Sequence, residues 1–373
     1  LPSSKKGAKR DFFKQMNIDT NMKRIFLPLL MLMALNVSAQ RALELRQTNM
    51  SRWNIGTAHY SGITSLGGGR YAVVSDKEPQ DGFFLFKIQQ DSITGEIVMV
   101  EMEGFKGNPN PALNETGISR RDCEGIAYLP QSNTLLISGE GDQEIWEYDM
   151  QGVPTGRKVV VPGIFALENV ASNYGFEALT YDATKQQLWT TTESMLKKDG
   201  LPAGPQNPDG QNFLRLQCFD GNLHPLAQYA YRMDRGMDHD YGMTYVYGVP
   251  ALCALPDGRL LVLEREANIS NGYLSSHVRC KLFVTNPANE EQIDGATDFA
   301  SFDPNDFMTK SLIADFTTRL NPFNYSWANY EGMCLGATLS DGRQTVIMIS
   351  DSQGGFGRGP IRLKDYLKVF VIN

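Results

Sequence analysis

The chain has 373 residues, with 42 Asp and Glu against 35 Lys and Arg, a formal charge of −7. That balance offers no broad basic footprint for nucleic acid and points instead to cation sites or to solubility. Five scattered cysteines, Cys123, Cys218, Cys253, Cys280 and Cys334, show no CxxC or Cys/His pair at zinc spacing; they exclude a disulfide framework and read as small buried hydrophobes.

In chain order, residues 1–21 carry no pattern and read as sequence upstream of a start at Met22. Met22-Lys23-Arg24, a 13-residue apolar run from Ile25 to Val37 and the small residues Ser38-Ala39 before Gln40 form an expected export signal over residues 22–39. The run is shorter than the roughly 20 apolar residues of a membrane span. A mature chain from Gln40 is therefore expected in the periplasm or outside the cell, with no membrane span. Residues 1–39 hold seven of the Lys/Arg and two of the Asp/Glu, which leaves 28 against 40 and a mature charge of −12.

From residue 41 the chain repeats one unit, a short apolar strand, a turn, a second apolar strand and an acidic residue. The five copies are SGITSLGGGRYAVVSDK (61–77), EGIAYLPQSNTLLISGE (124–140), EALTYDATKQQLWTTTE (177–193), PALCALPDGRLLVLER (250–265) and EGMCLGATLSDGRQTVIMISD (331–351). Gly-rich or Asp-Gly turns join the paired strands. Two further strand-like segments follow four of them: 83–88 and 96–102, 144–149 and 157–162, 213–219 and 225–233, 278–285 and 311–316. The last copy has only 366–372, while RALELRQ (41–47) stands alone before the first. The expected fold is an all-β propeller over residues 40–373, with five four-stranded blades (six if a spacer hides a degenerate one), closed by the N-terminal strand so that no sheet edge is left open.

The hairpin ends fall at one mouth of such a ring. The starting column reads Ser61, Glu124, Glu177, Pro250, Glu331, and the ending column Asp76, Glu140, Glu193, Glu264, Asp351; eight of these ten positions are acidic. Like charges beside a channel need compensation, either from Arg121, Lys77 and Arg265 or from a hard cation such as Ca²⁺. Both readings stay open at this point. Long Gly/Pro-rich connections, 103–123, 195–212, 234–249, 267–277 and 352–364, are expected round the same mouth. His59 and His239 each precede an inner strand and can approach the acids. Asp234, Asp238 and Asp240 are a weaker candidate for a cation, with no EF-hand spacing. No GxSxG, HExxH, P-loop or Rossmann glycine pattern occurs.

RDCEGIAY, FEALTYDATKQQLWTTTES, GVPALCALPDGRLLVLERE, NYEGMCL with SDGRQTVIMISDSQGGF, and the opening YSGITSLGGGRYAVVSDK resemble the esterase-like phytase family of propellers over about residues 58–373. The resemblance implies hydrolysis of phosphoesters or esters, by analogy with calcium-dependent propeller phytases whose acidic channel binds metal and phosphate. It implies metal ligands among Asp76, Glu140, Glu193, Glu264 and Asp351. Catalytic groups are implied at Glu124, Glu177, Glu331, Arg121 and Arg265. SDSQGGF in place of an asparagine-rich ending, and Pro250 in the acidic column, depart from the family pattern. The leading expectation is a metal-dependent hydrolase of a small phosphoester or ester. The alternatives are a non-catalytic module gripping a sugar or peptide, and a structural partner in an envelope complex.

Overall fold

A computed structural model describes residues 41–373 apart from Pro322, Pro360, Ile361 and Asn373; the expected upstream segment and export signal, residues 1–39, lie outside the described residues. The N-terminal pieces are β1 (Leu43–Glu44) and β2 (Thr48–Asn49). Blade 1 is β3 (Tyr60–Gly67), β4 (Arg70–Ser75), β5 (Gly82–Gln90) and β6 (Ile97–Gly107). Blade 2 is β7 (Cys123–Leu129), β8 (Thr134–Gly139), β9 (Ile145–Tyr148) and β10 (Pro154–Lys158). Blade 3 is β11 (Phe176–Asp182), β12 (Gln187–Thr192), β13 (Phe213–Phe219) and β14 (Pro225–Arg232). Blade 4 is β15 (Thr244–Ala254), β16 (Leu260–Ile269), β17 (His277–Thr285) and β18 (Ser311–Asn321), with β19 (Asn324–Tyr325) added at its edge. Blade 5 is β20 (Asn329–Thr338), β21 (Gln344–Asp351) and β22 (Tyr366–Ile372). Among the described residues the only helices are 3-10 turns of three or four residues.

Within each blade consecutive strands pair antiparallel, and the five first strands β3, β7, β11, β15 and β20 pack on one another in a closed circle. The second strands are buried on both faces between neighbouring blades, so they read as unbroken apolar runs rather than as alternating ones. Tyr71 to Val74, Leu135 to Ile137, Leu260 to Leu263 and Val346 to Ile349 are all buried. Each first hairpin is turned by residues at positive φ: Gly67 to Gly69, Asn133, Gln186, Gly258 and Gly342. All five cysteines are buried free thiols.

The ring closes as the sequence implies. Leu43 and Glu44 pair with Val371 and Phe370, and Thr48 and Asn49 with Leu367 and Tyr366, so the N-terminal segment is the outer strand of blade 5 in two short pieces. In blade 2 the outer strand is Pro154–Lys158, earlier than the expected 157–162. After Lys158 the chain leaves the sheet, and Val160 donates its N–H to the Leu223 carbonyl at the edge of blade 3.

Every inner strand slips register at the starting column, between Tyr60 and Ile63, Cys123 and Ile126, Phe176 and Ala178, Gly248 and Ala251, and Tyr330 and Gly332. A bulge at this position re-aims one side chain. Next to it the blades come unusually close. A Cβ on Gly62 would lie 2.4 Å from the Glu124 carbonyl oxygen, one on Gly125 2.4 Å from that of Glu177, and one on Gly332 2.5 Å from that of Ser61. Glycine is therefore required where the column residue of one blade presses its carbonyl on the blade before it.

Closure by the first strand predicts that deleting residues 41–49 lowers the melting temperature by several degrees, since ~1 kcal/mol shifts a 150–250-residue domain by roughly 2–4 °C. An unchanged melting curve would mean that β22 needs no outer partner.

Candidate functional site

The bulged columns open into a cavity of about 510 Å³. Its floor carries Asp76, Glu124, Glu140, Glu177, Glu193, Glu331 and Asp351 from the predicted columns, together with Lys77 and Arg265. Asp122, Asn173, Asn329 and Gln353 also line it, as does an apolar side that includes Val246, Ile269, Tyr273, Trp327 and Phe356. Val246 and Ile269 reach that side because the first hairpin of blade 4 is longer than the others. Thr244 pairs with Ile269, Val246 with Ala267 and Gly248 with Arg265, and all but Gly248 line the cavity. Residues 244–249 and 267–269, expected as loop, are therefore strand.

Arg265 is the cationic centre of the floor. Fully buried, it donates from Nη1 to Glu331 Oε1 at 2.6 Å and to Asn329 Oδ1 at 3.0 Å, and from Nη2 to Glu193. Its cross-strand partner Gly248 makes this reach possible, because a Cβ there would lie 2.5 Å from both the side chain and the carbonyl oxygen of Glu193. Glu193 also hydrogen-bonds the Glu177 carboxyl. Burial, then the Glu193 charge, holds Glu177 well above the usual carboxylate range. Burial also raises Glu193 despite Arg265, and pushes Glu331 up to about 7.

A second cluster faces it. One carboxylate oxygen from each of Asp76, Asp122 and Glu124 lies within 4.8 Å of the others. Lys77 Nζ donates to Asp122 at 2.8 Å and sits 2.5 Å from Asp76 Oδ2, while Asp76 Oδ1 is buried with no hydrogen-bond partner. Burial, then Asp76 and Glu331, holds Glu124 well above its ordinary pKa; burial, then Glu331 and Asp76, does the same to Asp351. Asp351 accepts from the Gln353 N–H at 2.6 Å and from its side-chain amide. His59 Nδ1 stands 3.8 Å from Asp76 and 3.9 Å from Asp351, beneath the mouth as its position suggested. Glu140 accepts the Gly175 N–H at 2.9 Å.

Two expected site residues do not line the cavity. Arg121 points into blade 2, donating to Asp142 at 2.7 Å and to the Ile137 and Glu144 carbonyls, with its guanidinium 4.1 Å from the Trp146 ring centre. Glu264 belongs to the opposite face of β16: it accepts from Tyr231 at 2.8 Å, from the Asp234 N–H at 3.0 Å and from Lys310. Side chains alternate along a strand, so the one-residue difference between Glu264 and Arg265 decides which of them enters the channel. Blade 4 thus brings an arginine where the aligned columns expect an acid. Asp234 and Asp238 are held by Lys281 and Lys310, and by Arg279 and His277, so basic side chains supply their counter-charge. His239 is exposed and lies outside the cavity lining. Asp122 was legible only as part of RDCEGIAY, and the apolar side had no signal beyond the length of the blade 4 hairpin.

Arg265→Met leaves Glu193 and Glu331 without their cation; breaking a buried pair in this way costs about 3–5 kcal/mol. Denaturant unfolding should show that loss, and a stability within experimental error of wild type would deny Arg265 its central place. The raised carboxyls fix a sign as well. Glu331, with an ordinary value of 4.5, stands at about 7 when folded, and Asp365, ordinarily 3.8, is likewise pushed by burial to about 7. Between those limits the folded chain keeps protons that the unfolded chain has released, so its stability falls as pH rises. In chelator, the melting temperature should be higher at pH 5.5 than at pH 7.5. The reverse order would contradict the protonated floor.

Similar solved structures include endo-arabinase from Bacteroides thetaiotaomicron, 11% identical over 86% of this chain and 95% of that one, with a TM-score of 0.44. The PQQ-bound aldose sugar dehydrogenase of Streptomyces coelicolor is 13% identical over 89% and 100%, with a TM-score of 0.42. A luciferin-regenerating enzyme is 11% identical over 89% and 97%, with a TM-score of 0.40. Comparison with curated protein sequences gives no match. A family model described as phytase-like, esterase-like activity of phytase, matches residues 55–353, and the chain belongs to that family.

Proposed function

We propose that the protein is an exported hydrolase of phosphate monoesters that works with a hard divalent cation, Ca²⁺ in the first instance, at the acidic mouth of the propeller. The observation that carries this reading is the convergence of Asp76, Asp122 and Glu124 within 4.8 Å, with Asp76 Oδ1 buried and unpartnered. All three donors are carboxylate oxygens, which suit a hard cation. Asp76, Asp122 and Glu124 would hold it. A cation so bound supplies positive charge against phosphoryl oxygens and acidity to water.

The chain's own residues do the rest. Lys77, whose side chain is 41% exposed, bridges Asp76 and Asp122 and is free to turn toward an incoming phosphate when those carboxylates take a cation instead. Glu177, raised by burial and then by the Glu193 charge, is suited to give a proton to the leaving oxygen, while Glu331, near 7, can take one from water. Arg265 positions both: it fixes Glu331 by a direct bond and Glu177 through Glu193. A competing reading, a binding module without chemistry, draws support from Lys77 itself, which already pairs with Asp76 and Asp122 with no metal ion.

Saturating Ca²⁺ at a hundredfold excess over Kd should stabilise the protein by about 2.7 kcal/mol if it binds the folded state alone. Replacing Asp76, Asp122 and Glu124 by the matching amides should abolish that stabilisation and the hydrolysis of aryl phosphates together. Ion binding without turnover would favour the binding module. Turnover in a triple variant that no longer binds the ion would place the chemistry elsewhere in the cavity.

A further inference from the structure

The cavity has two halves of opposite character, and only one is used by the proposed chemistry. Above the acidic floor, the extended hairpin of blade 4 and the segments beside it present Val246, Ile269, Tyr273, Trp327 and Phe356. Three of these are aromatic. Tyr273 and Phe356 come from different loops, after β16 and after β21, and their rings meet at 5.3 Å over the mouth. Phe356 is 50% exposed, and Met243 on the same rim is 54% exposed, so apolar surface faces water inside a concave site. Trp327 is buried in the lining, and its Nε1 has no hydrogen-bond partner among the described residues.

The floor is as informative for what it lacks. Lys77 and Arg265 are the only basic side chains lining the cavity among the described residues, and both are already bound to carboxylates. Eight carboxyl side chains surround them. Even with a bound cation and the Lys77 that it would release, a ligand with many phosphates finds far less positive charge than it needs, beside eight carboxyl groups. A ligand with one phosphate and one flat apolar group fits both halves at once. The volume, about 510 Å³, is that of a site for a drug-sized molecule.

We infer that the substrates are aryl phosphate monoesters, with the phosphate on the acidic floor and the ring against Val246, Trp327 and Phe356, rather than polyphosphorylated polyols. This rests on the phosphoester reading of the same cavity, and the test separates the two. Binding of methylphosphonate, phenylphosphonate, 1-naphthylphosphonate and inositol hexakisphosphate is measured by calorimetry in saturating CaCl₂, alongside 1-naphthol, which carries no anion. Affinity should rise at least tenfold from methyl to naphthyl, with the inositol compound weaker than naphthylphosphonate. Phe356→Ala and Met243→Ala, both at half-exposed positions, should weaken naphthylphosphonate about fivefold or more and leave methylphosphonate unchanged. Equal affinity across the phosphonates, tightest binding of the inositol compound, or equal losses for methyl and naphthyl ligands in the two variants would overturn the inference. So would an acyl phosphonate of equal carbon number that outbinds the naphthyl one. If naphthylphosphonate or 1-naphthol binds the wall but naphthyl phosphate is not hydrolysed, the aromatic subsite stands and the hydrolase reading falls. If methyl and naphthyl phosphates are cleaved with equal kcat/KM, the hydrolase reading stands and the subsite falls.

Discussion

The buried guanidinium of Arg265 is the contact on which the channel mouth depends. A ring of carboxylates between close-packed blades is unfavourable twice over, through burial and through mutual repulsion. Arg265 relieves both by binding Glu193 and Glu331 directly, and burial with the Glu193 charge raises Glu177, so that it holds a proton more readily than an ordinary carboxyl. Among the described residues the only basic side chain lining the other side of the floor is Lys77, which is far more exposed and held by single contacts. The floor is thus divided into a fixed half under blades 3 to 5 and an exchangeable half under blades 1 and 2. That asymmetry is why we propose the cation at Asp76, Asp122 and Glu124 and not round the whole ring.

The fold supplies this arrangement through small features repeated five times. Each inner strand slips register at the column position, and three of the five follow the column residue with a glycine that a Cβ would drive into the neighbouring blade. Blade 4 breaks the pattern. It has Pro250 in the starting column and Arg265 facing the channel, and its longer hairpin brings Val246 and Ile269 to the apolar side of the cavity. A single divergent blade therefore provides the buried cation and part of the apolar side of the cavity.

Much of this was legible in the amino-acid sequence for a physical reason: a strand buried on both faces has to be apolar throughout, and its turn has to tolerate positive φ. The runs at 71–74, 135–137 and 346–349 and the turns at Gly67 to Gly69, Asn133 and Gly342 marked the blades. The lone strand at 41–47 beside an incomplete last blade implied the closure seen at Leu43 and Val371. What was not legible depended on single-residue register. Glu264 and Arg265 are adjacent, both charged and both at the end of an apolar run, and only the pleat of a longer hairpin tells them apart. Arg121 sits one residue from Asp122, yet it turns back onto Trp146 while Asp122 turns outward to Lys77. The aromatic side of the cavity gathers Tyr273, Trp327 and Phe356 from three separate loops, which no local pattern connects.

If raised carboxyl groups and a cation site share the same floor, then loading the cation must expel protons, because ligand carboxylates bind in their charged form. Calcium titration of chelator-stripped protein at pH 6.5, by calorimetry in two buffers of different ionisation enthalpy, reads that exchange directly. The account predicts saturable binding with net proton release, abolished when Asp76, Asp122 and Glu124 are replaced by amides. Binding with no proton release, or no binding at all, would contradict it.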